Sequence, residues 1–245
     1  MTVFTYNEDA RIIAAKVALE NTLPAAPRIH LLPIPTKTAN PDTFLYEIRS
    51  GDFVFGYGIS EALRRELCAR GALVFDTEAD ESFIEENATL TAEATMGYLL
   101  SSPRAPRDLT VGIIGYGRIG RALCRMLLFF GARVCIFTER DAVRSALGAS
   151  GVESRAIRYV AGEALDVSGL DLLIQTAPAK IFTKENAPPC PLWNLAAAAY
   201  IGEGVFARQL SSLPAKVCFE SGGRALARAV LRAYRAQTDS ERTTL

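Results

Sequence analysis

Apolar and polar positions along the chain switch repeatedly between a helical period and strand-like runs, which is the pattern of an α/β protein. In the first 85 residues, apolar runs predict strands over residues 3–6, 28–33, 52–55 and 73–75. Helical spacing predicts helices over 9–19 and 61–70. A Pro-rich link, 21–27, follows the first helix and is too short to hold a further strand and helix, while 36–42 reads as a polar loop. Residues 90–100 read as a helix with Thr89 as its N-cap. Glu93 then falls in the first turn, where the helix dipole favours a carboxylate. The stretch 101–107, with two prolines, breaks that helix. Beyond it, strands are expected over 109–114, 134–137, 156–159, 171–174, 192–195 and 217–219, and helices over 118–130, 141–147 and 223–235. The chain so divides into a small α/β substrate-side domain, 1–88, an inter-domain helix and linker, 89–104, and a domain over 105–245, whose last helix is free to pack back on the first.

The segment Val111-Gly112-Ile113-Ile114-Gly115-Tyr116-Gly117-Arg118-Ile119-Gly120 changes the picture most. A lone G-x-G-x-x-G carries little, but this one leaves an apolar strand, opens a helix, and is followed by a second strand at the expected distance. That context is the dinucleotide-binding fingerprint. Gly115 allows the tight turn, Gly117 lets the backbone approach a pyrophosphate, and Gly120 lets helix pack on strand. Tyr116, Arg118 and Ile119 complete the turn and the first helical residues, whose N–H groups favour phosphate. The fold expected is therefore α/β: a C-terminal doubly wound parallel sheet of the Rossmann type, with a smaller N-terminal open α/β domain.

The second strand of that domain ends Phe137-Thr138-Glu139-Arg140. An NAD site usually places a carboxylate where Thr138 stands. A hydroxyl with a nearby guanidinium suits a 2′-phosphate, because Arg offers paired donors to phosphate oxygens. NADP is the expected cofactor, with NAD open through Glu139.

Composition narrows the class of partner. The 245 residues are 49% hydrophobic and 22% charged, with 27 basic residues against 27 acidic ones. Such a balance argues against a nucleic-acid binder or a surface held to anionic lipid by charge. No apolar run approaches the length of a bilayer span. The N-terminal segment has no basic region leading into an apolar stretch, so a cytoplasmic location is expected. Five scattered cysteines without a C-x-x-C pair read as reduced packing residues, and no metal site is expected. The single histidine, His30, reads as structural.

Several short motifs carry a resemblance. Glu86-Asn87-Ala88-Thr89-Leu90-Thr91-Ala92-Glu93, Asp9-Ala10-Arg11, Leu31-Leu32-Pro33-Ile34, Gly58-Ile59-Ser60 and Asp171-Leu172-Leu173-Ile174-Gln175-Thr176-Ala177-Pro178 resemble motifs of the dipicolinate synthase A-chain family. The resemblance covers most of the chain in order. The departures are a shorter N-terminal domain, lacking one strand–helix unit after its first helix, a contracted loop at 220–224, and Asn194 where the family has Asp. The resemblance implies an NAD(P)-dependent oxidoreductase of sporulating bacteria acting on a small cyclic dicarboxylate such as dihydrodipicolinate. It also implies a flavoprotein-like second subunit; a homodimer is open.

The substrate is expected in a cleft between two lobes, with Thr176, Ala177 and Pro178 near the nicotinamide. Thr36, Lys37, Ser60, Thr91 and Asn194 are the substrate-side candidates, though Lys37 reads first as a solvated loop residue. Glu93 and Asn87 are the catalytic candidates, Glu93 for the proton. Asn87, Thr91 and Glu93 serve as well to start a helix. Two other readings stay open: a non-catalytic dinucleotide-binding or regulatory protein, and a diverged 2-hydroxyacid dehydrogenase. The latter lacks a histidine in its cofactor domain for acid–base work.

Overall fold

The computed structural model describes residues 2–23 and 28–243, with side chains throughout except for Thr38 and 241–243. The later part of the 21–27 link therefore lies outside the described residues. The chain forms two compact units, one holding it up to Leu90 and again from Pro214, the other holding Thr91–Leu213.

The first unit is built on four parallel strands in the order β1 (Thr2–Thr5), β2 (Arg28–Leu31), β3 (Phe53–Gly56), β4 (Leu73–Asp76). Alternate side chains of a strand face opposite ways, and here they build two different layers. Val3, Ile29, Leu31, Phe53 and Phe55 pack with Ile12, Ala15 and Leu19 of α1 (Ala10–Glu20) and with Ala225, Leu226, Ala229 and Val230 from the last helix of the chain. On the other face, Val54 packs with Leu63 and Leu67 of α2 (Glu61–Ala69), and with Phe44, Leu45 and Ile48 from a run of 3₁₀ turns. Both crossovers, β1 to β2 and β3 to β4, step the same way across a parallel sheet, yet α1 and α2 cover opposite faces. They are therefore of opposite hand, and one departs from the right-handed rule that holds in about 98% of such connections.

The segment between β2 and β3 has no α-helix; its 3₁₀ turns lay Phe44, Leu45 and Ile48 on the sheet, and a polar array ties it to β2. Asp52 lies at the centre. Its carboxylate accepts from His30 Nε2 (2.8 Å), from Arg28 Nε (3.1 Å) and from the Arg49 backbone N–H (2.9 Å). A carboxylate only accepts, so His30 carries its proton on Nε2 and its Nδ1 accepts from the Tyr6 hydroxyl. Arg28 Nη2 donates to the Glu47 carbonyl at 2.7 Å. His30 is fully buried. Burial holds it below the ordinary imidazole value, against the raising pull of Asp52.

The second unit is a six-stranded parallel sheet. In chain order its elements are β5 (Thr110–Ile114), α4 (Arg118–Phe129), β6 (Arg133–Thr138), α5 (Asp141–Ala149), β7 (Glu153–Ala156), β8 (Leu172–Gln175), β9 (Leu192–Asn194) and β10 (Arg208–Gln209). The spatial order β10-β9-β8-β5-β6-β7 is the doubly wound order, with its switch point between β5 and β8.

Several expectations need correction. The helix expected from residue 90 is α3 (Glu81–Leu100). Its first turn is capped by Asp80, which accepts from the Phe83 N–H at 2.9 Å. Thr89 is no cap: its hydroxyl donates to the Glu85 carbonyl at 3.0 Å, and Glu93 lies in mid-helix. The polar run 81–87, with only Phe83 of it buried, hid the start of this helix. No strand forms over 217–219: Val217 and Cys218 make the turn between α6 (Leu213–Lys216) and α7 (Phe219–Thr243), and Phe219 opens α7. Gly222 and Gly223 suggested that α7 begins late, but they sit inside it, where a Cβ on Gly223 would lie 2.5 Å from Ala14 Cβ. Close packing of α7 on α1 outweighs their poor helix propensity. The strand expected over 156–159 lies earlier, at β7, and β10 had not been expected. Finally, α7 belongs to the first unit, so the second sheet's unit ends at Leu213 rather than running through residue 245. Among the described residues no helix is long and apolar enough to cross a membrane.

Gly223→Ala should destabilise the protein by about 1–3 kcal/mol through overpacking. Gly97→Ala, at an exposed site in α3 with no atom within 4 Å of the added Cβ, should stabilise it by about 1 kcal/mol. Thermal melts check both signs. Because the folded state holds His30 below the value of about 6.5 it has in an unfolded chain, the unfolded chain takes up the proton first as pH falls. Stability should therefore drop on acidification from pH ~7 to ~5.5. A flat denaturant midpoint over that window contradicts a buried neutral His30.

Candidate functional site

The glycine turn sits at the C-terminal end of β5. Gly115 has φ +95°, a conformation that favours glycine, and its N–H bonds to the Phe137 carbonyl at 2.9 Å. A Cβ on Gly120 would lie 2.2 Å from the Gly115 carbonyl oxygen, so helix and turn touch backbone to backbone. Gly117 differs from both. Nothing stands within 4 Å of the Cβ it would carry, it is exposed, and it N-caps α4 with no side-chain cap bond. Open space over an uncapped helix start is what a pyrophosphate needs. Tyr116, Arg118 and Ile119 are half-buried beside it. These residues fit a dinucleotide.

At the end of β6 the three candidates separate. Thr138 is buried, and its hydroxyl accepts from the Arg140 N–H at 3.4 Å and lies near the Tyr159 phenol. Glu139 and Arg140 are exposed. Arg140 Nη2 donates to the Tyr116 carbonyl at 2.8 Å, which places its guanidinium at the rim of the glycine turn. Burial, with the Glu139 carboxylate nearby, pushes the Tyr159 phenol above its ordinary value. Tyr159 and Arg144, which donates to the Thr138 carbonyl at 3.0 Å, were not singled out from sequence. Only proximity in the fold reveals them.

After β8, Thr176 closes the site from below. Its hydroxyl donates to the Ile114 carbonyl at 3.0 Å, and its N–H to the same oxygen at 2.9 Å. Ala177 is buried and Pro178 exposed. The fold therefore brings Gly115, Gly120 and Thr176 into one contact cluster, with Arg140 at its rim. Asn194, at the end of β9, is fully buried. Its amide donates to Gln209 Oε1 at 2.7 Å and accepts from the Ala196 N–H at 3.1 Å, so it holds two loops together.

The remaining candidates are not gathered in this cluster. Thr36 is buried, its hydroxyl donating to the Pro33 carbonyl and accepting from the Tyr57 N–H. Lys37 is exposed. Ser60 N-caps α2. Asn87, Thr91 and Glu93 all lie on α3, with Asn87 half-buried, Thr91 buried and Glu93 exposed. Sequence reading also missed Asp76, whose carboxylate accepts from the Gly58 N–H (3.0 Å) and the Ile59 N–H (2.8 Å) and so shapes the Gly58-Ile59-Ser60 turn.

No protein-family model and no curated protein matches the chain at the sequence level. Its fold is similar to that of dipicolinate synthase A chain from Bacillus subtilis, with TM-score 0.72 and 17% identity over 98% of this chain and 96% of that one. The corresponding dipicolinate synthase chain from Bacillus halodurans gives TM-score 0.71 and 16% identity over 95% and 96%. A transhydrogenase from Sinorhizobium meliloti gives 0.63 and 17% over 85% and 74%. At these identities the likeness is one of fold.

Gly117→Val should leave the melting temperature unchanged, since its Cβ has room and its backbone is extended. It should weaken NADPH at least about tenfold, or ~1.4 kcal/mol, because the side chain fills the space over the helix start. Gly120→Ala should instead cost about 1–3 kcal/mol of stability. Calorimetric binding unchanged in Gly117→Val would displace the site from this turn.

Proposed function

We propose that the protein is an NADP-dependent oxidoreductase of the dipicolinate synthase A-chain type, acting on a small cyclic dicarboxylate. The observation that supports it best is the open, uncapped helix start at Gly117, at the switch point of a doubly wound sheet. The likeness in fold to dipicolinate synthase A chains over nearly their whole length supports the same reading.

In this reading the N–H groups of 117–119 bind the pyrophosphate, and Thr176 holds the turn that presents them. Arg140 selects the cofactor. Thr138 is buried and engaged, so the exposed guanidinium is the group that can meet a 2′-phosphate, with paired donors of fixed geometry. The bound nicotinamide would supply the hydride chemistry. Glu93 is exposed and able to exchange a proton with water, and we assign it the proton that accompanies hydride transfer. Lys37 is assigned a carboxylate of the substrate as a point charge. A flavoprotein-like second subunit belongs to the same proposal.

One observation favours a second reading, a dinucleotide-binding protein without catalysis. Asn194 stands where the resembled family has Asp, and its amide is spent on Gln209, Ala197 and Ala196.

Arg140→Ala should weaken NADPH by about 1.5–3 kcal/mol, the range for a hydrogen bond to a charged group, and leave NADH nearly unchanged. Equal losses, or a wild-type preference for NADH, would move ribose recognition to Glu139. NADP⁺ reduction with dihydrodipicolinate separates the two functional readings: turnover supports the enzyme, and tight cofactor binding without turnover supports the second. In the active case, Glu93→Gln should lose turnover at unchanged melting temperature.

A further inference from the structure

The first unit contains a cavity of ≈ 610 Å³ that the proposed reaction does not use. It lies along β4, the edge strand of its sheet, between the turn that follows β4 and the exposed side of α7. A volume of ~300–1,000 Å³ with an apolar floor and a few polar groups is the usual form of a small-molecule site.

Its floor is apolar: Phe75 is half-buried, and Phe55, stacked on it, is buried in the core. Phe55 and Phe75 stack with ring centroids 5.0 Å apart and planes 15° from parallel. Ala229, Ala233 and Ala236 form the α7 wall, with no side chain long enough to fill the space.

The polar groups divide unequally into acceptors already used and donors in reserve. Asp76 accepts from the N–H groups of Gly58, Ile59 and Glu78. Asp80 accepts from the Phe83 N–H and from Arg232. The Thr77 hydroxyl donates to the Gly56 carbonyl. The two guanidinium groups keep more than they give. Arg64 spends one bond, at 3.2 Å, on the Val74 carbonyl, and Arg232 bonds only through Nε and Nη2, both to Asp80 Oδ2. A guanidinium has five N–H donors and no acceptor. The hydrogen-bonding capacity left facing the cavity is therefore mostly for donation. Glu81 stands at the exposed rim, where water and salt screen its charge.

We infer that this cavity binds a small molecule with a flat apolar body and one anionic group, the body on Phe75 and against Ala233 and Ala236 and the anion on Arg64, with Arg232 beside it. Such a ligand satisfies the unused donors and covers the exposed part of Phe75 together, which neither a neutral ring nor a free inorganic anion does. The site belongs to the first unit and the glycine turn to the second, so the inference stands apart from the proposed reaction.

The test is calorimetric titration of the full chain with 2-naphthoate, in saturating NADPH so that the glycine turn is excluded as a site. Saturable one-to-one binding is expected. Ala236→Trp fills the cavity from α7 and Ser82→Trp fills it from the opposite wall, both at exposed positions. Each should weaken 2-naphthoate at least about tenfold, and Arg64→Gln about tenfold, the loss of one charge-assisted hydrogen bond. Melting temperatures identify a filled variant that has failed to fold, and the other then decides. The neutral 2-naphthamide should bind wild type about tenfold more weakly than the acid on the same ground. Absence of saturable binding, or equal binding by a folded filled variant, overturns the site. Equal affinity for acid and amide overturns the anionic half of the inference.

Discussion

A missing Cβ at position 120 is the constraint on which the second unit depends. The Gly115 carbonyl stands where that atom would be, at 2.2 Å, so α4 rests directly on the turn that opens it. From this approach the rest follows. The turn bends tightly enough for Gly115 to bond the end of β6, and Thr176 reaches up from β8 to fasten the Ile114 carbonyl. Three neighbouring strands, β8, β5 and β6, are thereby joined at their C-terminal ends around one loop. Gly117, two residues past the turn's first glycine, is left with open space above an uncapped helix start. The features that pack the turn and the feature that can receive a phosphate are one backbone path.

The first unit meets a different problem and solves it with charge. Between β2 and β3 the chain makes only 3₁₀ turns, which bury Phe44, Leu45 and Ile48 but leave backbone groups to satisfy. Asp52, Arg28, His30, Tyr6 and Glu47 supply those bonds, with Asp52 accepting from two side chains of β2 and from the Arg49 backbone. Each buried member has a partner, which is the condition under which a polar core is tolerated. The only histidine of the protein is thus a structural group, held neutral by its burial.

The opposite hands of the two crossovers also have a physical account. α1 covers the face of the sheet on which the last helix of the chain also packs. The close packing of α7 on α1, through Gly222 and Gly223, holds α1 on that face. The shared motifs read in the same light. Asp9 caps α1 and pairs with Arg11, Ser60 caps α2 under the control of Asp76, and Thr176 fastens the glycine turn. Most of what resembles the family in sequence is there to hold the backbone.

The sequence by itself determined the α/β class, the strand–turn–helix at Gly115–Gly120, and most strands and helices, because these rest on local periodicity and on backbone conformations that few residues adopt. It placed Arg140 beside the turn by counting along a strand. It could not place elements whose local preference is overridden by contacts distant in the chain. The start of α3 is polar and held by Asp80 and Phe83, and the glycines of α7 are offset by packing on α1. Nor could it separate Thr138 from Arg140, since a buried hydroxyl and an exposed guanidinium reaching the Tyr116 carbonyl differ only in three dimensions. Asp76, Tyr159 and the cavity along β4 were invisible for the same reason. Each is made by residues brought together across strands, and pairing across a parallel sheet leaves no trace at any fixed spacing along the chain.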